Sequence, residues 1–174
     1  MKKRFSFLLI LGVCLSIFQC GNGQNSLTKK ITGHYHYKYV VPYNIKQGAM
    51  LFSETGTMDF YENGHGLDSA RQVYRLISNE SDTVYWTFNY VNQNNWHATG
   101  DTLTYSGTPE TFIFELLELR VTNPAMESWA REYGDYILRR IRETIGDTEQ
   151  FHIAKLNRKC LFLARKGSTL EFYR

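Results

Sequence analysis

Along most of the chain apolar and polar residues alternate with a period of two. In ITGHYHYKYVV, Tyr35, Tyr37 and Tyr39 point one way and His34, His36 and Lys38 the other, the pattern of a half-buried strand that Pro42 closes. MLFSETGTMDFY carries one or two strand pieces with Met58 and Phe60 on one face. Asn63-Gly64 then supplies a tight turn, because both residues tolerate positive φ. LDSARQVYRLIS runs back and NESD turns it. TVYWTFNYV is the strongest strand, β-branched or aromatic at every position except Asn89. Val84, Trp86, Phe88 and Tyr90 share one of its faces, and Thr83, Tyr85, Thr87, Asn89 and Val91 the other. Aromatic enrichment makes the first set, with the three tyrosines near the start, the expected inner faces. NQNN reads as a further turn, WHATG and DTLTYSG as a pair about Gly100-Asp101, and TFIFELLELRV as another strand.

From Pro124 to Gly146 the period changes to 3.6. Met126, Trp129, Tyr133, Ile137, Ile141 and Ile145 form a stripe, of which the first five are the expected buried members. Asn123 fits the N-cap, Pro124 the first helical position and Gly146 the end. Gly134 inside costs about 1 kcal/mol relative to alanine. TEQFHIAKLN, KCLFLARKG and STLEFYR return to short strands. Nine or so strands joined by tight turns, with one long helix, predict a mainly β fold. The expected form is an antiparallel up-and-down β-barrel with the helix packed on or capping it. A β-sandwich would show longer Greek-key connections, and a parallel α/β fold would need repeated helical crossovers.

The first residues follow another rule. MKKRFSFLLILGVCLSIFQC is a charged segment followed by an apolar run, Phe5 to Phe18, too short for the roughly 20 residues of a membrane span. IFQC before GNGQNS resembles a bacterial lipoprotein box, with Gln19 where Gly, Ala or Ser is usual. The resemblance implies a signal peptide over 1–19, diacylglycerol and N-acyl chains on Cys20, a flexible tether over 20–30 and a folded domain over 31–174. Cys14 fits less well, because Leu15 to Phe18 would remain beyond the cut. The chain carries 20 basic and 17 acidic residues, but Lys2, Lys3 and Arg4 lie in the leader, so the remainder is neutral. That balance gives no support to nucleic-acid binding, and no nucleic-acid partner is expected. Beyond the leader and Cys20, only Cys160 is left, in the apolar run KCLFLA, which suits a buried thiol without a disulfide partner.

ITGHYHY, GTMDFYENG, TVYWTFNY, WHATGDTLTYSG and KLNRKCLFLARKGSTLEFYR, in that order, resemble the lipocalin-like lipoproteins of Bacteroidetes, a calycin-type group. The resemblance implies a small barrel whose interior holds an apolar ligand. The long helix and the lack of a Gly-x-Trp signature in ITGHYHY are departures from secreted lipocalins. No acidic residue lies between Gly21 and Ser26, which by the same resemblance implies a periplasm-facing anchor in the outer membrane.

Tyr35, Tyr37, Tyr39, Trp86, Phe88 and Tyr90 are the candidate ligand-binding residues; the alternative is that they fill the core. A binding barrel should leave a void of at least about 300 Å³ between them and the strands carrying Tyr61, Tyr74 and Phe114. His34 and His36 have metal-like spacing, but no third ligand among His97, Asp59, Glu62 and His65 is placed beside them, so no metal or cofactor is predicted. Arg139, Arg140 and Arg142 are balanced by acids on the same helix. There is no GxSxG or HExxH, and nothing pairs the carboxylates Asp59, Glu62, Asp68, Glu115 and Glu118 as a glycosidase requires. The expectation is a non-enzymatic envelope lipoprotein, held to the bilayer through Cys20, that binds a small hydrophobic or amphipathic ligand. The alternative is a structural or interaction lipoprotein with a solidly packed barrel and no ligand.

Overall fold

A computed structural model describes residues 26–40, 50–77, 82–165 and 168–174. Within them lie strands β1 (Gly33–Val40), β2 (Met50–Phe60), β3 (His65–Ile77), β4 (Thr83–Thr99), β5 (Thr102–Gly107) and β6 (Ile113–Val121). After the helix come β7 (Thr148–Leu156), β8 (Cys160–Arg165) and β9 (Ser168–Tyr173). A helical turn α1 covers residues 26–31, running from the stretch expected as a tether into the first residue of the expected domain, and the long helix α2 spans Glu127–Thr144. The leader, Cys20, the loop that Pro42 opens and most of NESD lie outside the described residues.

All pairings are antiparallel. Eight strands close on themselves in the order β1, β2, β3, β4, β5, β7, β8, β9, while β6 pairs with the first half of β4. The chain is therefore a closed eight-stranded antiparallel barrel with α2 packed on it, consistent with a calycin-type fold. Closed pairing removes exposed edges from the ring, and β6, paired on one side only among the described residues, keeps one. The hairpins at Gly64 and Gly100 hold these glycines at φ 82° and 61°, where a side chain is strained. The β1–β9 seam is narrow, registering only His36 with Tyr173 and Tyr37 with Phe172. Next to it Arg174 donates to the carbonyls of Lys30 (2.7 Å) and Thr32 (2.9 Å) and to the Tyr35 hydroxyl (2.6 Å), fastening α1 to the barrel.

Two expectations are corrected here. NQNN is not a turn: β4 runs through it, and β3 pairs with β4 along its length. Asn92 and Asn94 are buried inward while Gln93 and Asn95 are exposed, so the period of two continues across residues whose composition suggests a loop. The second correction concerns the helix stripe. Asn123 does accept from the Ala125 amide and caps a 3₁₀ turn, Pro124–Met126, ahead of α2. The buried members of α2 are Ala130, Gly134 and Ile137, and Trp129 is 41% exposed. Small residues win the contact face because they let the helix axis approach. The Trp86 indole is wholly buried beneath it and donates to the Ala130 carbonyl at 2.7 Å. A β-carbon on Gly134 would stand 3.1 Å from Trp86 Cδ1. Met126, Tyr133 and Ile141 flank this contact half-buried. Among the described residues no helix is long and apolar enough to cross a membrane.

Candidate functional site

The register of the first four strands explains how polar groups come to lie inside the barrel. Tyr37 pairs with Gly56, Gly56 with Ala70, and Ala70 with Tyr90, so two tyrosines flank two small residues in one row. Tyr37 is the buried member of this row on β1. Its hydroxyl reaches Glu54, two residues along β2, at 3.0 Å, and Asp68, two residues along β3, at 2.8 Å. Gln72 Nε2 also donates to Glu54 Oε1, at 3.1 Å.

A phenol has one proton and cannot donate to two carboxylates at once. Glu54 already accepts from Gln72, so the arrangement that gives each of these bonds one proton has Tyr37 donating to Glu54 and a protonated Asp68 donating to the Tyr37 oxygen. The electrostatics agree. Burial, and then the neighbouring Glu54 charge, push the Asp68 carboxyl up to about 8. Burial raises Glu54 as well, opposed by the hydrogen bonds from Gln72 and Tyr37. Burial also raises the phenols of Tyr37, Tyr90 and Tyr105, which keeps all three protonated.

Beside this network is a cavity of about 200 Å³. Tyr37, Glu54, Asp68, Tyr90, Tyr105 and Glu149 supply its polar lining. Phe60, Phe151, Phe172, Leu103 and other apolar side chains make the rest. The void is smaller than the expected minimum of about 300 Å³ and would hold roughly six or seven waters at liquid density. Glu149 is half-buried, and paired with Arg165 it carries the lining towards the barrel rim. Among the described residues the buried Tyr105 hydroxyl, Asn92 Nδ2 and Asn94 Oδ1 have no hydrogen-bond partner. Leaving such a group unpaired costs about 1–3 kcal/mol; all three atoms are closed off by the packing, and of their residues only Tyr105 lines the cavity.

The six candidate residues separate. Tyr37 and Tyr90 line the cavity. Tyr35 is wholly buried at the α1 end, donating to the Ile31 carbonyl at 2.7 Å. Trp86 lies beneath α2, and Phe88 is stacked on Phe114 at 4.6 Å. Tyr39 shares the inward parity near the end of β1 and is half-buried. Tyr61 is exposed, and Tyr74 packs on Phe88.

Glu54, Tyr105 and Glu149 were not among the candidates, and Asp68 stood only in an unpaired set of carboxylates. Parity would have found Glu54, which shares a face with Met58 and Phe60. The exposed His34 is bonded to Asp59 at 2.7 Å, and its ring meets His36 edge-on. Among the described residues no group of three His, Cys, Asp or Glu is placed to hold a metal ion. Cys160 is buried and free, its thiol 3.4 Å from Asn157 Oδ1. A scan against protein-family models and a search of curated proteins found no match to this chain.

Proposed function

We propose that this chain is an envelope lipoprotein, anchored to the outer membrane through acyl chains on Cys20, whose barrel binds a small amphipathic molecule rather than catalysing a reaction. The observation that carries the binding reading is the cavity, lined in part by the buried Tyr37–Glu54–Asp68 network. A solidly packed interior would have no such void. Its size favours a ligand with a single ring or a short chain over a long acyl chain. The anchor reading rests on the charged leader, the apolar run and the cysteine that ends it.

Native mass spectrometry of the purified protein tests the binding reading. A reproducible small-molecule adduct is expected, and Leu170→Phe, which narrows the cavity at a half-buried position, should remove it while leaving the circular dichroism unchanged. An adduct retained by the folded Leu170→Phe protein would place it elsewhere. Metabolic labelling with a fatty-acid probe tests the anchor. The tag should disappear in Cys20→Ala, and labelling that survives would remove Cys20 from that role.

A further inference from the structure

We propose that the ligand is a small organic cation, a primary ammonium on a one-ring body, with its charge on Glu54 and Asp68 and its ring against Phe60, Tyr90, Phe151 and Phe172. This rests on the cavity being a ligand site and names the class of ligand it takes. The sign of the lining decides the class. Among the described residues three carboxylates, Glu54, Asp68 and Glu149, face the void, and no lysine, arginine or histidine does. Glu149 is already paired with Arg165, so the unspent negative charge is that of the inner two. A fatty acid would set its carboxylate against them.

The donor count agrees with the sign. Glu54 Oε2 and Asp68 Oδ2 make no hydrogen bond among the described residues, whose bonds to these side chains all fall on Oε1 and Oδ1. Tyr105 lines the same wall, with its hydroxyl oxygen closed off by the packing. An ammonium has N–H donors for both of these carboxylate oxygens. Aromatic faces complete the site, since a cation is attracted to the ring quadrupole and an apolar body to the ring surface.

Binding carries a proton balance. In the empty cavity Asp68 holds a proton, and a cation beside it favours the ionised form, so the proton leaves to solvent as the ammonium enters. The titratable groups near Asp68 are Tyr37 on β1, Glu54 on β2, Tyr90 on β4 and Tyr105 on β5, and Glu149 on β7, paired with Arg165, lines the same cavity. From β9 only Leu170 and Phe172 face the cavity, and neither titrates. The apparent affinity should therefore rise from about pH 6 towards pH 8 and level off there.

The experiment is calorimetric titration of the purified full-length protein with three probes of one shape: phenethylammonium, phenethyl alcohol and hydrocinnamate. Phenethylammonium should bind at least about tenfold more tightly than the alcohol, and hydrocinnamate more weakly than either. Titration near pH 6.5 in two buffers of different ionisation heat should show proton release. Asp68→Asn and Glu54→Gln, checked for fold by circular dichroism, should each bring the ammonium down to the affinity of the alcohol. Equal affinities for ammonium and alcohol, both lost in Leu170→Phe, would overturn the cation class and leave the cavity as the binding site. Ammonium binding indifferent to Asp68→Asn and Glu54→Gln would also overturn the proposal. Absence of binding by all three probes would remove the cation proposal; if native mass spectra also show no adduct, the cavity reading falls with it.

Discussion

Replacing Asp68 by asparagine should stabilise the protein at neutral pH and flatten its response to pH. The asparagine amide can donate to the Tyr37 oxygen as the protonated acid does, so Tyr37 can still donate to Glu54. The acid, however, must be kept protonated in the fold, where its pKa stands at about 8 against an unperturbed 3.8. Between those values the unfolded chain binds fewer protons than the native one, so stability falls as pH rises from about 4 to about 8. Each pKa unit is worth about 1.36 kcal/mol, and at pH 7 roughly three units of the interval have been crossed, an upper bound of about 4 kcal/mol. Glu54 titrates with Asp68 as a pair, which spreads this loss over both carboxyls. Urea unfolding of the wild type and Asp68→Asn at pH 5, 6, 7 and 8 measures it. The wild type should lose several kcal/mol over the series and the variant much less, with similar m-values. Parallel pH profiles would refute the reasoning. A constant deficit for Asp68→Asn at every pH would show that the carboxylate is ionised and well solvated in the fold.

Three further outcomes follow from the packing. Gly134→Ala should gain up to about 1 kcal/mol of helix propensity and lose more to the collision with Trp86, which is held by its bond to Ala130. The net loss should be about 1–2 kcal/mol by chemical denaturation, and a stabilised variant would show that the helix shifts freely. Ile137→Ala should cost about 2–4 kcal/mol and Trp129→Ala roughly 1, because only Ile137 is buried; equal losses would contradict that placement. Arg174→Ala should cost about 1–3 kcal/mol and speed amide exchange in residues 26–32, whereas unchanged exchange there would mean that α1 does not depend on this side chain.

The barrel was legible because a strand writes its two faces into alternate residues and the hairpins at Gly64 and Gly100 use turn chemistry. Reading failed where composition overrode parity. Asn92 and Asn94 looked like turn residues, yet they continue the inward face of β4. Trp129 looked like an anchor by size, but a helix crossing a buried indole needs small residues, and Ala130 and Gly134 supplied them. The polar site was half-written. Parity alone turns Glu54 inward beside Met58, and Asp68 inward beside Ala70 and Gln72. What brings the two carboxyls to one hydroxyl is the pairing register across three strands, which alternation within a strand does not encode.

The narrow seam between β1 and β9 also bears on how the barrel is made. Every other neighbouring pair in the ring except β5–β7 joins strands next to each other in sequence, so a curled sheet can grow as a series of hairpins. The ring becomes a ring only when β9, the last strand in order, returns to β1 across more than a hundred residues. Such a contact is slow to form and contributes nothing until its loop entropy has been overcome. The two registered pairs and the Arg174 bonds to residues 30–35 thus act as a latch fitted last. A chain of this order emerging from its first strand onward, whether from the ribosome or through an export channel, stays an open, threadable sheet until β9 arrives. The interior cavity, with its buried acids, comes into being at that same moment.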